Sequence, residues 1–143
     1  MEKSINTLIA EEHGRLTILI DELIQSLDSL ENAKKVFNQL KWNLEKHFFL
    51  EEKAIFAFHD KVDGQEVSDL FDLMEEHGEM IGLLKNIEED LDEGKTPEVE
   101  PLRILLDKHH NFEDDVFYPK LEEMLDENQK QEIRFKISEF LQG

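Results

Sequence analysis

Four stretches of this chain carry apolar residues at steps of three and four, and in each a histidine stands where another leucine would fit. The first runs from about Ser4, a plausible N-cap, to about Leu30, through Ile5, Leu8, Ile9, Leu16, Ile20, Leu23 and Leu27. That spacing marks a helix with one buried face. His13, four beyond Ile9 and three before Leu16, falls on that face.

The second stretch, capped by Asn32 and reaching about His59, reads Val36, Leu40, Leu44, His47, Glu51, Ala54 and Phe58. Asp63-Gly64 marks the turn that follows. The third, from near Ser68 to Gly94, reads Leu70, Leu73, His77, Ile81, Leu84, Ile87 and Leu91. After a connection containing Pro97 and Pro101, the fourth reads Leu102, Leu105, His109, Phe112, Glu113 and Val116. Pro119 is expected to kink or end it. Ile133, Phe135, Ile137, Phe140 and Leu141 suggest a short terminal helix packed on the others. With 143 residues, three prolines and six glycines, the expectation is one all-α domain spanning residues 1–143. Four long helices with short connections predict an up-down-up-down bundle plus a short C-terminal helix. Counted from the turns at 1.5 Å per residue, the four inward histidines fall at one depth.

The halves repeat. Glu11-Glu12-His13-Gly14 returns as Glu75-Glu76-His77-Gly78, and His47 with Glu51 returns as His109 with Glu113. Beyond the second pair, Glu52, Ile55, Phe56 and Ala57 fall on Asp114, Phe117, Tyr118 and Pro119. A duplicated helical hairpin with approximate two-fold symmetry accounts for the pattern.

A glutamate on a buried face is costly unless it is paired, protonated or bound to a metal. Residues four apart on a helix point the same way, so each His-x-x-x-Glu unit offers a nitrogen and a carboxylate to one place. A carboxylate has two oxygens and can bridge two ions, whereas an imidazole binds one. The candidate metal ligands are therefore His13, His47, His77 and His109 as terminal groups, with Glu51 and Glu113 as bridges. Imidazole and carboxylate without thiolate suit iron or manganese, with zinc and nickel as substitutes.

These residues carry a resemblance. His13, His47-Phe-Phe-Leu-Glu51, His77 and His109-His-Asn-Phe-Glu113, followed by Tyr118-Pro119, are similar to the hemerythrin-like, or HHE cation-binding, domains. The resemblance covers essentially the whole chain and implies a non-haem di-iron centre with two iron ions in a four-helix bundle. It also implies a small-molecule ligand such as O2, NO or peroxide, or a part in iron handling. Oxygen-carrying members have a fifth histidine four residues after the third-helix one, and here that position is Ile81. Suppose two six-coordinate irons share two carboxylates and one solvent-derived bridge. Four histidines then leave about one open position on each, which favours binding or sensing over protected oxygen carriage. An enzyme acting on peroxide or NO is the alternative, and a helical interaction module without metal the second.

Plainer readings apply to the rest. His59 is expected to be solvated. His110 stands one step round from the inward face, and a shifted register pairing it with Asp114 is the alternative to His109 with Glu113. Glu12 or Glu76 could accept from an imidazole N–H, while Glu52 and Asp114 are expected to be exposed. Trp42, Phe48, Phe49, Phe112 and Phe117 read as core or helix contacts, and Tyr118, which could donate a hydrogen bond near the site, as structural. Thirty-five acidic residues against 16 basic give a formal charge of −19, which disfavours nucleic acid and anionic membranes as partners. Without cysteine there is no disulfide, thiolate site or cysteine nucleophile. No leader peptide or apolar run of about 20 residues is evident, so a cytoplasmic location is expected.

Overall fold

A computed structural model describes residues 3–57 and 64–142. His59, expected to be solvated or to cap a helix end, lies outside them with Phe58, as does Asp63 of the expected turn. The described residues are helical, in the order α1 (Ile5–Gln25), α2 (Leu30–Leu50), a π-turn (Glu51–Ile55), α3 (Gln65–Asp92), α4 (Glu100–Phe112), a second π-turn (Glu113–Phe117), α5 (Tyr118–Met124) and α6 (Glu127–Gln142). No strand occurs among them, and no helix there is long and apolar enough to cross a membrane.

The ends follow local chemistry. Ser4 caps α1, its hydroxyl accepting from the Thr7 N–H at 3.1 Å. The expected cap at Asn32 is displaced, because Ser29 is the N-cap residue and α2 begins at Leu30. Gly64, at φ +61°, precedes α3, which begins three residues before the expected Ser68. At the other end of α3, Gly94 takes φ +72°. The Lys95 N–H bonds to the Asp90 carbonyl at 2.8 Å and the Gly94 N–H to Leu91 at 3.2 Å, the paired closure that needs a left-handed residue.

Pro119 does not end its helix. The chain stays helical from Glu100 through Met124, with the wide π-turn placed just before the proline. That turn loosens the hydrogen-bond ladder where the missing N–H and the ring would otherwise break it.

Helix α1 packs on α2 and α4, and α3 on α2 and α4, so the four long helices enclose a common interior. Two apolar clusters fill it. One gathers Ile9, Leu50, Leu73, Phe117, Tyr118 and Leu121, with Ile133 and Ile137 of α6 closing that end. The other gathers Leu16, Leu44, Met80, Leu84, Leu102 and Leu106. Each buried leucine or isoleucine contributes about 1.5–3 kcal/mol. Successive helices cross the clusters in opposite order: Ile9 to Leu16 along α1, Leu44 to Leu50 along α2, Leu73 to Met80 along α3, Leu106 to Phe117 through α4.

Several side chains face otherwise than expected. Trp42 is 69% exposed and Phe49 49%, while Phe48 is buried and stacks on His77 at 4.1 Å between ring centroids. Ile81 is 40% exposed and Met80 takes its interior place. Phe135 also faces out, so Ile133 and Ile137 carry the buried face of α6, with Phe140 partly buried against the same cluster.

Candidate metal centre

Between the two apolar clusters lies a polar layer. His13, His47, Glu51, His77, His109 and Glu113, the six residues expected from sequence, all reach it and all are buried. A seventh, His110, joins them. Two groups of four converge: His13, His47, His110 and Glu113 in one, and Glu51, His77, His109 and Glu113 in the other. Within each, one ligand atom per residue lies within 4.8 Å of every other. Glu113 belongs to both.

Placement follows from the helices. His13 and His77 occupy single positions in the stripes of α1 and α3. His47 and His109 end α2 and α4 one turn before the glutamates that open the π-turns. In each π-turn a backbone bond spans five residues, from Phe56 N–H to the Glu51 carbonyl and from Tyr118 N–H to that of Glu113. In an uninterrupted α-helix a residue nine beyond the histidine would sit about 180° round the axis; one inserted residue brings it to about 80°. Phe56 and Tyr118 thereby turn inward beneath their glutamates.

Glu51 Oε1 lies 3.3 Å from His47 Nε2 and 3.1 Å from His77 Nε2. Glu113 Oε1 lies 3.1 Å from His13 Nε2 and 3.4 Å from His109 Nε2. Each carboxylate thus meets imidazoles from both halves. His13 and His110 stack at 3.6 Å with an 8° interplanar angle.

Most of these close approaches are not aligned hydrogen bonds. Nε2 of His13, His47, His109 and His110, and Oε1 of Glu113, are buried without a hydrogen-bond partner; the pair from His77 Nε2 to Glu51 is the aligned one. Buried polar atoms are ordinarily satisfied, at about 1–3 kcal/mol for each failure. Nitrogen and oxygen lone pairs that crowd together yet aim past one another suit a cation between them. The donor set therefore fits two metal ions.

Outward-facing nitrogens are held by acids. His13 Nδ1–H donates to Asp114 Oδ1 at 2.9 Å and His109 Nδ1–H to Glu76 Oε1 at 2.8 Å. Each contact puts the proton on Nδ1 and frees Nε2 as a ligand. Glu76 does what one sequence reading allowed it, whereas Glu12 pairs with Arg15 instead. Asp114, expected to be exposed, is half-buried, and Glu52 stays 3.7 Å from His77 Nδ1. His47 Nδ1 is buried without a partner.

Protonation follows the crowding. Burial raises both glutamates, but His47, Glu113 and His109 together outweigh it at Glu51 and hold that carboxyl below the usual range. Burial, then the charge of Glu51, push Glu113 well above it. Burial and His47 hold His13 low, and burial with His13 does the same to His110. At His109 burial lowers the value, but bonds to Glu51 and Glu76 reverse it. Burial and Glu51 push Asp114 up to about 6.

His110 is the residue the sequence reading set aside. A signal for it existed, since Leu102, Leu106, His110, Glu113 and Phe117 recur at steps of four and three. The competing stripe through Leu105, His109 and Phe112 obscured it. Both histidines reach the layer, so neither replaces the other.

Among known families, the model of the hemerythrin HHE cation binding domain matches residues 4–106. The matched span holds His13, His47, Glu51 and His77 and stops before His109, His110 and Glu113. No curated protein and no solved structure gives a match.

Proposed function

This chain belongs to the hemerythrin HHE cation-binding domain family, and from that premise we propose that it is a non-haem di-iron protein that binds or senses a small molecule such as O2 or NO. The reading includes an up-down-up-down bundle, supported by the opposite order in which successive helices cross the two apolar clusters. It assigns His13, His47 and His110 to one ion, His77 and His109 to the other, and Glu51 and Glu113 to both. The observation that carries it is the convergence of two buried donor groups sharing Glu113, with most of their inward atoms unpartnered.

His110 changes the ligand arithmetic. Five imidazoles divide three to two. With shared carboxylates and one solvent-derived bridge, the first ion would be filled and the second would keep about one open position. The expected pair of openings becomes one, which favours a reversible binding role over the alternatives of iron release and of turnover of peroxide or NO. Bound iron would supply that position as a Lewis-acidic, redox-active site for the ligand. The protein's own residues exclude water and orient the imidazoles. A cavity of about 230 Å³ lined by Phe56, Ala57, Leu70, Phe71 and Met74, with Glu52 at its edge as the one charged group, opens beside Phe56, whose ring packs on His77 at 5.6 Å. It offers an apolar approach to the second group.

Metal analysis after anaerobic iron reconstitution tests the proposal. About two irons per chain are expected, with a higher Tm than the metal-free protein, because a ligand bound only by the folded state stabilises it. Reduced protein exposed to O2 or NO should give a reversible optical change. Near-zero uptake would sink the metal centre. Stable uptake with peroxide or NO consumption above free iron would move the role to an enzyme, and bleaching with iron loss would move it to iron handling.

A further inference from the structure

The two π-turns repeat each other in sequence and backbone, yet their inward aromatic residues differ by one atom. Phe56 and Tyr118 occupy equivalent places, each five residues beyond its glutamate. The Tyr118 hydroxyl, buried in the apolar cluster below the layer, crosses to the other half and donates to Glu51 Oε2. It stands 3.5 Å from Glu113 Oε2. Phe56 packs against His77 and Phe117 and has no hydroxyl to give. Glu113 Oε1 has no hydrogen-bond partner.

We propose that Tyr118 is a positioning residue that pins Glu51 through its outer oxygen, so that the two carboxylates of the centre are inequivalent. With Oε2 held, Glu51 presents Oε1 alone to the histidines on either side, at 3.3 Å from His47 and 3.1 Å from His77. Glu113, which the same hydroxyl reaches only at 3.5 Å, is the more loosely held carboxylate and the one that can more readily change which oxygen it offers. The bond also fills the lone pair that a metal-bound carboxylate would otherwise bury unsatisfied, and it fixes the orientation of a ligand through an outer hydrogen bond. The pinning runs from one half to the other: a residue of the second repeat holds the glutamate of the first.

The inference rests on the dinuclear reading above, and the test separates the two. Tyr118 is the only tyrosine, so its Raman doublet, which reports whether a phenol donates or accepts, can be read without interference. In metal-free wild-type protein it should show a strong donor, and in Glu51→Ala that signature should weaken. Tyr118→Phe should keep about two metals per chain, but release them to a chelator about tenfold faster, with an altered absorption envelope. Phe56→Tyr in the Tyr118→Phe background returns a clamp to the opposite carboxylate and should recover the slower release. Tyr118→Phe matching wild type in both release and spectrum would overturn the proposal while leaving the dinuclear centre intact. A wild type that takes up no metal would remove the reading and the proposal together.

Discussion

The two halves of this molecule carry the same motif in different surroundings. His13 and His77 correspond, and so do the acids beside their Nδ1 atoms, Asp114 and Glu52. Yet Asp114 bonds to His13 at 2.9 Å while Glu52 stands 3.7 Å from His77. His109 is held by Glu76 at 2.8 Å. Its counterpart His47 should be held by Glu12, but Arg15 has taken that carboxylate, and Nδ1 of His47 is left unpartnered. At the place of Arg15 the second half has Glu79, which cannot compete for Glu76. His110 in the second half faces no equivalent, because Phe48 fills that position in the first. A duplicated scaffold thus supplies two groups of converging donors, and single side chains make them different.

The largest test of that difference is at the shared carboxylate. Glu113 serves both donor groups, so Glu113→Ala should remove nearly all bound metal, as read by metal analysis. Glu51 converges with only one of the groups, so Glu51→Ala, which removes a bridge but leaves all four donors of the other group, should keep measurable binding there. Equal losses would mean that the two glutamates are interchangeable.

Next comes the seventh donor. His110→Ala should lower metal affinity at the first position by about a hundredfold, the upper end of the 10–100-fold range known for outer partners. Ile81→His should add no ligand, because Ile81 is turned toward solvent. A gain from the Ile81 change would show that α3 can rotate to the arrangement the family pattern suggests.

The acids that hold the histidines should differ by a smaller margin. Asp114→Asn is expected to weaken metal binding by about tenfold, and Glu52→Gln to have little effect. The pH dependence has a definite sign. In the metal-free protein Asp114 is pushed up to about 6, and Glu113 is raised as well. Loading favours the ionised forms, so protons leave as metal enters. Affinity should rise as pH climbs through about 6, and the part due to Asp114 should level off above it. Metal titrations across that range check this, and the inflection near 6 should vanish in Asp114→Asn.

Smallest is the effect of Arg15. Its replacement by alanine should release Glu12 toward His47 and bring the first half closer to the second. A few-fold tightening of metal binding is expected, within about 1 kcal/mol for one exposed charge pair. No change would mean that backbone placement, rather than Arg15, keeps Glu12 from His47.

Much of the site was legible because its cost is local. A histidine or glutamate in an apolar stripe can be placed from the 3.6-residue period alone, and burying a carboxylate demands a reason wherever it happens. That argument found His13, His47, Glu51, His77, His109 and Glu113 on the inward face. It failed where two stripes overlapped, at His109 and His110, because periodicity cannot say how wide a wedge of α4 its neighbours cover. It also misread Trp42 and Ile81, whose apolar character fits either side of a helix boundary equally well.

The sequence by itself therefore determined the helical class and the inward rows of imidazole and carboxylate, since both arise from spacing along one chain segment. The tertiary structure decided which atoms meet. The π-turns that swing Phe56 and Tyr118 beneath the layer depend on a shift in backbone hydrogen bonding that no residue pattern announces. The grip of Tyr118 on Glu51, and the loss of Glu12 to Arg15, depend on where side chains from distant segments come within hydrogen-bond reach. Spacing fixes direction along a helix, whereas partnership is set by distances between helices.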